Sequence, residues 1–162
     1  MLLTNHVLSG ALIGALARRP VPAFAAGVAS HFVLDAIPHW GDWGSQRRFM
    51  RVAVPDGLVS LAVMGTLTAA APAGHRAAML AGMAGAALPD ADKPAKMWFG
   101  CSPFPAAFDR FHSRIQDESF QRAPVELAAA GLFGVMALTA IRRARVLTAG
   151  NSGRPGRRDR RG

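Results

Sequence analysis

Five stretches of the chain carry no formal charge, and they constrain its fold more than any motif does: Met1 to Ala17, Pro20 to Leu34, Gly57 to Gly74, Ala77 to Pro89, and Leu127 to Ile141. Each is rich in Ala, Leu, Val and Gly, and none alternates with the period of two that marks a half-buried strand. The order predicts an all-α chain. About five short transmembrane or membrane-embedded helices form a compact bundle over residues 1–145, with a disordered Arg-rich tail at 146–162. Short turns fall at 18–20 and 73–76, and longer loops at 38–51 and 90–122. The alternative is a soluble, Ala-rich helical bundle, because a straight span needs about 20 apolar residues and several runs are shorter. Hydrophobic types make up 51% of the 162 residues, which excludes a disordered body. The single cysteine, Cys101, excludes an intramolecular disulfide and leaves too little sulfur for a thiolate zinc knuckle.

Charge placement favours the membrane. With antiparallel helices, one face of the bundle holds the 18–20 turn, the 73–76 turn and everything after Ile141. That face collects eleven basic residues against one acid, Asp159, while the other face is nearly neutral. An excess of Lys and Arg beside span ends marks the cytoplasmic side. The expected location is therefore the cell's inner membrane, as an integral protein, with the basic C-terminal tail in the cytoplasm. The tail is read as topogenic; its alternative role is binding anionic lipid, and nucleic acid is not the expected partner. Trp40, Trp43, Trp98, Phe99, Phe104, Phe108, Phe111 and Phe120 all fall on the opposite face, as an aromatic shelf at headgroup level.

The polar residues are concentrated on that same face. His6 begins the first helix, His31 and Asp35 close the second, and His39 follows Pro38. Asp56 follows Pro55 at the start of the third, Asp90 and Asp92 end the fourth, and Asp109 and His112 lie in the long loop. His31 and Asp35 are four apart and share one helical face. His6, Gly10 and Gly14 also repeat at four, placing the histidine on the face where helix backbones can approach closely. Ionisable groups within spans are costly and face the bundle interior or a watery cavity. Converging imidazoles and carboxylates are a ligand set for a divalent metal such as zinc, manganese or iron. The candidate ligands are His6, His31, Asp35, His39, Asp56, Asp90 and Asp92, with His112 as acid/base and Asp109 as its orienting partner. Each has a plainer alternative: Asp56 a favourable charge at a helix N-terminus, His39 a loop cap, His31 with Asp35 a structural hydrogen bond, His112 a surface histidine.

Thr4-Asn5-His6, the run Ser30-His31 to Asp35 with Pro38-His39-Trp40, and Pro89-Asp90-Ala91-Asp92 together resemble the small bacterial membrane proteins known as membrane-bound metal-dependent hydrolases. The LexA-binding inner-membrane hydrolase-like proteins belong to the same group. The resemblance covers short motifs between residues 4 and 116. Of the family's H-R-G-x-T-H-S motif only His112-Ser113 has a counterpart here, and the H-x-x-x-D element comes early in the chain. The resemblance implies an all-helical membrane protein with a divalent-metal site, and hydrolase activity as the family's label. The one-sided polar cluster beside an aromatic rim makes hydrolysis of a phosphate- or acyl-containing substrate at the lipid boundary the leading expectation. Two rival readings are a non-enzymatic membrane protein whose His/Asp cluster is structural, and an ion transporter.

Overall fold

The computed structural model describes residues 1–152, and the five apolar runs fall almost wholly in helices; the third crosses a turn at 71–72, so the turn expected at 73–76 comes two residues earlier and residues 73–76 open the next helix. These are α1 (Leu3–Ala17), α2 (Pro20–Asp35), α3 (Gln46–Ala70), α4 (Ala73–Ala87) and α7 (Ala123–Ser152). Two shorter helices, α5 (Asp92–Phe99) and α6 (Ala106–Ile115), occupy the segment expected to be a loop. Their apolar residues lie on one face only, so they leave no charge-free run in the sequence. A two-residue parallel ladder pairs β1 (His39–Trp40) with β2 (Glu118–Ser119), tying the 38–45 loop to the chain entering α7.

Local chemistry sets the boundaries. Arg18 ends α1 in the left-handed region, at φ 58°, and Pro20 opens α2 at a position where its missing N–H costs nothing. The third helix begins eleven residues before its charge-free run. Ser45 caps it by accepting from Arg48 N at 3.4 Å, and Arg47, Arg48 and Arg51 are good helix formers whose charge hides the helix from a hydropathy reading. Pro55 thus lies inside α3, and Asp56 is not at that helix's N-terminus. At the other end, α7 continues through 146–152, and residues 153–162 of the expected tail lie outside the described residues.

Helices α1, α2 and α4 form the centre, with α3 and α7 packed against α1 from outside. Val7, Ala11, Met79, Met83, Ala137 and Ile141 are the shared core. The central contacts are backbone to backbone. A Cβ added at Gly82 would stand 3.1 Å from Gly14 N and closer still to the Gly10 carbonyl, and one at Gly27 would stand 2.9 Å from Ala86 N. Gly82→Val should therefore force the helices apart, at an overpacking cost of about 1–3 kcal/mol or more. Gly65→Val, on an open face of α3, should leave thermal unfolding in detergent within about 1 kcal/mol of wild type. Equal melting of the two variants would show that these helices do not meet at Gly82.

Two helical segments, Gln46–Ala70 and Phe120–Gly150, are long and apolar enough to cross a membrane. At 1.5 Å per residue α3 is about 37 Å long, against roughly 30 Å of hydrocarbon, whereas α1 reaches only about 22 Å. The outer faces of both long helices are apolar and exposed, as at Leu58, Leu61, Leu127 and Val135.

Candidate metal centre

The first residues of α1 hold the site together. Its N-cap, Leu2, offers no side-chain acceptor, so the free N–H groups of the first turn need partners from elsewhere. They find them on the two long helices. Asp56 of α3 accepts from Leu3 N at 2.7 Å and Thr4 N at 3.2 Å, and also from the Thr4 hydroxyl. Glu126, in the first turn of α7, accepts from Leu2 N at 3.1 Å, from the Asn5 amide and from Trp40 N at 3.2 Å. The three residues Thr4, Asn5 and His6 thus fan out to α3, to α7 and to the interior.

His6 is fully buried, and its Nδ1 has no hydrogen-bond partner. Its ring stacks on His31, centroids 4.0 Å apart, and its Nε2 lies 3.1 Å from Asp35 Oδ1. The same carboxylate oxygen lies 3.0 Å from the Met1 nitrogen.

The other oxygen of Asp35 faces a second group. Asp35 Oδ2 lies 3.1 Å from His31 Nε2 and 2.9 Å from His112 Nε2, and those two nitrogens are 3.0 Å apart. Asp90 Oδ1 stands 3.7 Å from each. His31 Nδ1 donates to the Ala86 carbonyl at 2.7 Å, which leaves Nε2 of the neutral ring with a bare lone pair directed at the cluster. Gln116, one turn beyond His112, donates to Asp35 Oδ2 at 3.2 Å. Phe32 holds α6 in place: its ring lies 5.3 Å from Phe111 and 5.8 Å from His112, with Phe108 at 5.7 Å.

His31, Asp35, Asp90 and His112 can hold a metal ion, since one donor atom from each lies within 4.8 Å of all the others. Two imidazoles and two carboxylates offset a dipositive charge and suit zinc, manganese or iron. Ligands bound at about 2.0–2.2 Å in a tetrahedron stand roughly 3.3–3.6 Å apart, between the short and long separations seen here. At Asp90, burial pushes the carboxyl up, but the Lys93 ammonium beside it outweighs this and holds the group down to about 2.

The remaining candidates are engaged elsewhere. Asp56 serves the amides of α1, on a helix other than its own. His39 Nδ1 donates to the Ile37 carbonyl at 2.8 Å, and its Nε2 faces Glu118 at 3.7 Å. Asp92 pairs with Lys96 at 2.9 Å, because the first turn of α5 aims it away from the histidines. Asp109 binds Lys96 at 2.9 Å and the Ser102 hydroxyl at 3.0 Å, so it does not orient His112; the Lys96 hydrogen bond holds its carboxyl low. His112, expected as an acid/base, lies within the ligand group itself. The aromatic shelf divides: Trp40 and Trp43 pack on Phe120, Phe104, Phe108 and Phe111 join the Phe32 cluster, and Trp98 and Phe99 are exposed.

Glu126 and Lys93 carry structural weight that the sequence reading did not assign. Glu126 is the last acid before an apolar run, as Asp56 is, and that shared placement was the available signal. The His39 pairing holds the Glu118 carboxyl below its ordinary 4.5. A depressed folded value stabilises the fold above the unfolded one and is lost as pH falls through it. Glu118→Gln should accordingly flatten the decline of stability below about pH 4.5, read by acid titration of helicity. An unchanged slope would remove the pairing. No family model, curated protein or solved structure matches this chain.

Proposed function

We propose that this chain is an integral membrane protein of the inner membrane, anchored by α3 and α7, that uses a divalent metal to hydrolyse a phosphate- or acyl-containing substrate at the lipid boundary. The observation that carries the reading is the convergence of His31 and Asp35 of α2, Asp90 and His112, from three separate segments of the chain, on one largely buried point beside the buried His6. His31, Asp35, Asp90 and His112 would hold the metal, zinc, manganese or iron. A bound divalent cation supplies Lewis acidity, polarising the substrate and lowering the pKa of water. In the reaction class, water gives its hydroxyl to phosphorus or the acyl carbon and a proton to the leaving oxygen. Within the chain, the Ala86 carbonyl fixes the His31 tautomer, Gln116 steadies Asp35, and the Phe32 cluster keeps α6 in place. The one-sided placement of these groups argues against an ion path through the bundle.

The test is a screen of chromogenic phosphomonoesters, phosphodiesters and acyl esters with full-length protein in detergent. Turnover that a chelator abolishes, that added metal restores and that His112→Ala lacks supports the reading. Turnover indifferent to chelation, or none with any substrate in metal-loaded protein, leaves the cluster structural. A reporter fused after Gly162 tests sidedness, with cytoplasmic signal expected; an extracytoplasmic signal would reverse the orientation.

A further inference from the structure

A cavity of about 510 Å³ opens beside the metal centre, between α3, α5 and the Trp40–Trp43 pair. Its volume lies within the roughly 300–1,000 Å³ typical of small-molecule sites. The α3 side of its lining runs from Phe49 to Leu61, about 18 Å along the helix, which suits an extended chain better than a compact ring system. The wall is almost wholly apolar, and all three tryptophans of the protein line it.

An apolar wall alone does not name an occupant; the charged end of this cavity does. Asp90 and Lys93 both line it. The Lys93 ammonium is paired with Asp90 Oδ1, the same oxygen that faces His31 and His112. A cation in the centre competes for that oxygen and leaves Lys93 at the cavity wall with only the distant Asp92, 3.9 Å away and itself paired with Lys96 at 2.9 Å. The other acids of the lining are committed, Asp56 to the amides of α1 and Glu118 to His39. With the charge of a bound cation offset by Asp35 and Asp90, the Lys93 ammonium is the net positive charge at the end of an apolar channel, which matches an anionic head on an apolar tail.

We propose that this cavity takes the apolar chain of a single-chain amphiphile with a phosphate headgroup. The phosphate sits at Lys93 beside the His31–Asp35–Asp90–His112 cluster, and the chain lies along α3. The proposal names the substrate class of the hydrolytic reading and rests on it.

Trp40, Trp43 and Trp98 supply the readout. Full-length, metal-loaded protein in amphipol is titrated with chain-brominated dodecyl phosphate and, separately, with chain-brominated dodecyl maltoside, following tryptophan quenching. The expected result is saturable quenching by the phosphate at a Kd at least tenfold below that of the maltoside. Gly57 lines the cavity and a Cβ there meets nothing within 4 Å, so Gly57→Phe should weaken phosphate binding at least tenfold while metal content and helicity stay unchanged. Met97→Phe fills the opposite wall and serves if Gly57→Phe does not fold. Lys93→Met should erase the preference for phosphate over maltoside. Equal quenching by the two headgroups, or undiminished binding in the folded cavity-filled variants, would overturn the proposal. A phosphate preference without phosphate release from any chain-bearing ester sinks the hydrolytic reading alone and leaves the amphiphile site standing.

Discussion

Purified wild-type protein should carry close to one equivalent of zinc, manganese or iron, and the His31→Ala/Asp35→Ala double variant should carry almost none. Both residues lie in the group that can hold a metal, and they stand one helical turn apart on α2. Metal sites of this ligand number bind with about 10–16 kcal/mol, so losing two of four ligands should weaken binding by at least three orders of magnitude. Elemental analysis after gel filtration checks this. Three comparison variants sharpen it. Asp92→Asn and Asp109→Asn, whose carboxylates pair with Lys96, should keep their metal, and His6→Gln, at the edge of the cluster, should lose roughly 10–100-fold in affinity. Folded wild type that takes up no metal even after reloading would leave the histidines as a structural stack.

Glu126→Ala should be the most destabilising single substitution of a polar residue outside the metal centre. Its carboxylate is 1% exposed and accepts from Leu2 N, the Asn5 amide and Trp40 N. Alanine leaves the part-buried Leu2 and Trp40 amides without a partner and the buried Asn5 amide with only the Glu126 carbonyl; at about 1–2 kcal/mol for each of three lost bonds, a loss of about 3–6 kcal/mol is expected. Glu126→Gln keeps one acceptor but turns an amide N–H toward a donor, and should fall between wild type and alanine. Denaturant unfolding in mixed micelles, followed by far-UV dichroism, reads the series. If both variants unfold within about 0.5 kcal/mol of wild type, the acid does not anchor α1, and the link from α7 to the metal centre is lost. A second consequence distinguishes anchoring from general stability. Because Asn5 and His6 are consecutive, Glu126→Ala should also lower metal affinity under conditions where the protein remains folded.

The helices were legible because their cause is local. Charge-free runs without period-two alternation can only be helices here, and all five fall almost wholly in helices, the third crossing the turn at 71–72. The small-residue stripe of α1 was legible for the same reason, and Gly10 and Gly14 do meet the backbone of α4. Boundaries were less so. Hydropathy sees charge and not propensity, so it missed the Arg-rich first turns of α3 and the one-sided helices α5 and α6.

At the site, the division follows sequence distance. His31 with Asp35 is a pairing of residues four apart, fixed by helical geometry wherever the helix lies. Asp56 shows the converse. It follows a proline, which in sequence marks a helix start, yet it sits inside α3 and caps a helix whose residues are more than fifty positions away. The sequence by itself determined that the chain is helical, where its apolar faces lie, and that its histidines other than His75 and its acids other than Asp159 are expected at one end of the bundle. Only the tertiary structure decided which of them meet. The docking of α6 by the Phe32 cluster brings His112 to His31, and the turn after α4 brings Asp90 there while aiming Asp92 at Lys96. Periodicity fixes the direction of a side chain from its own helix; which neighbour it finds depends on how separate helices pack, and that information is in no single segment.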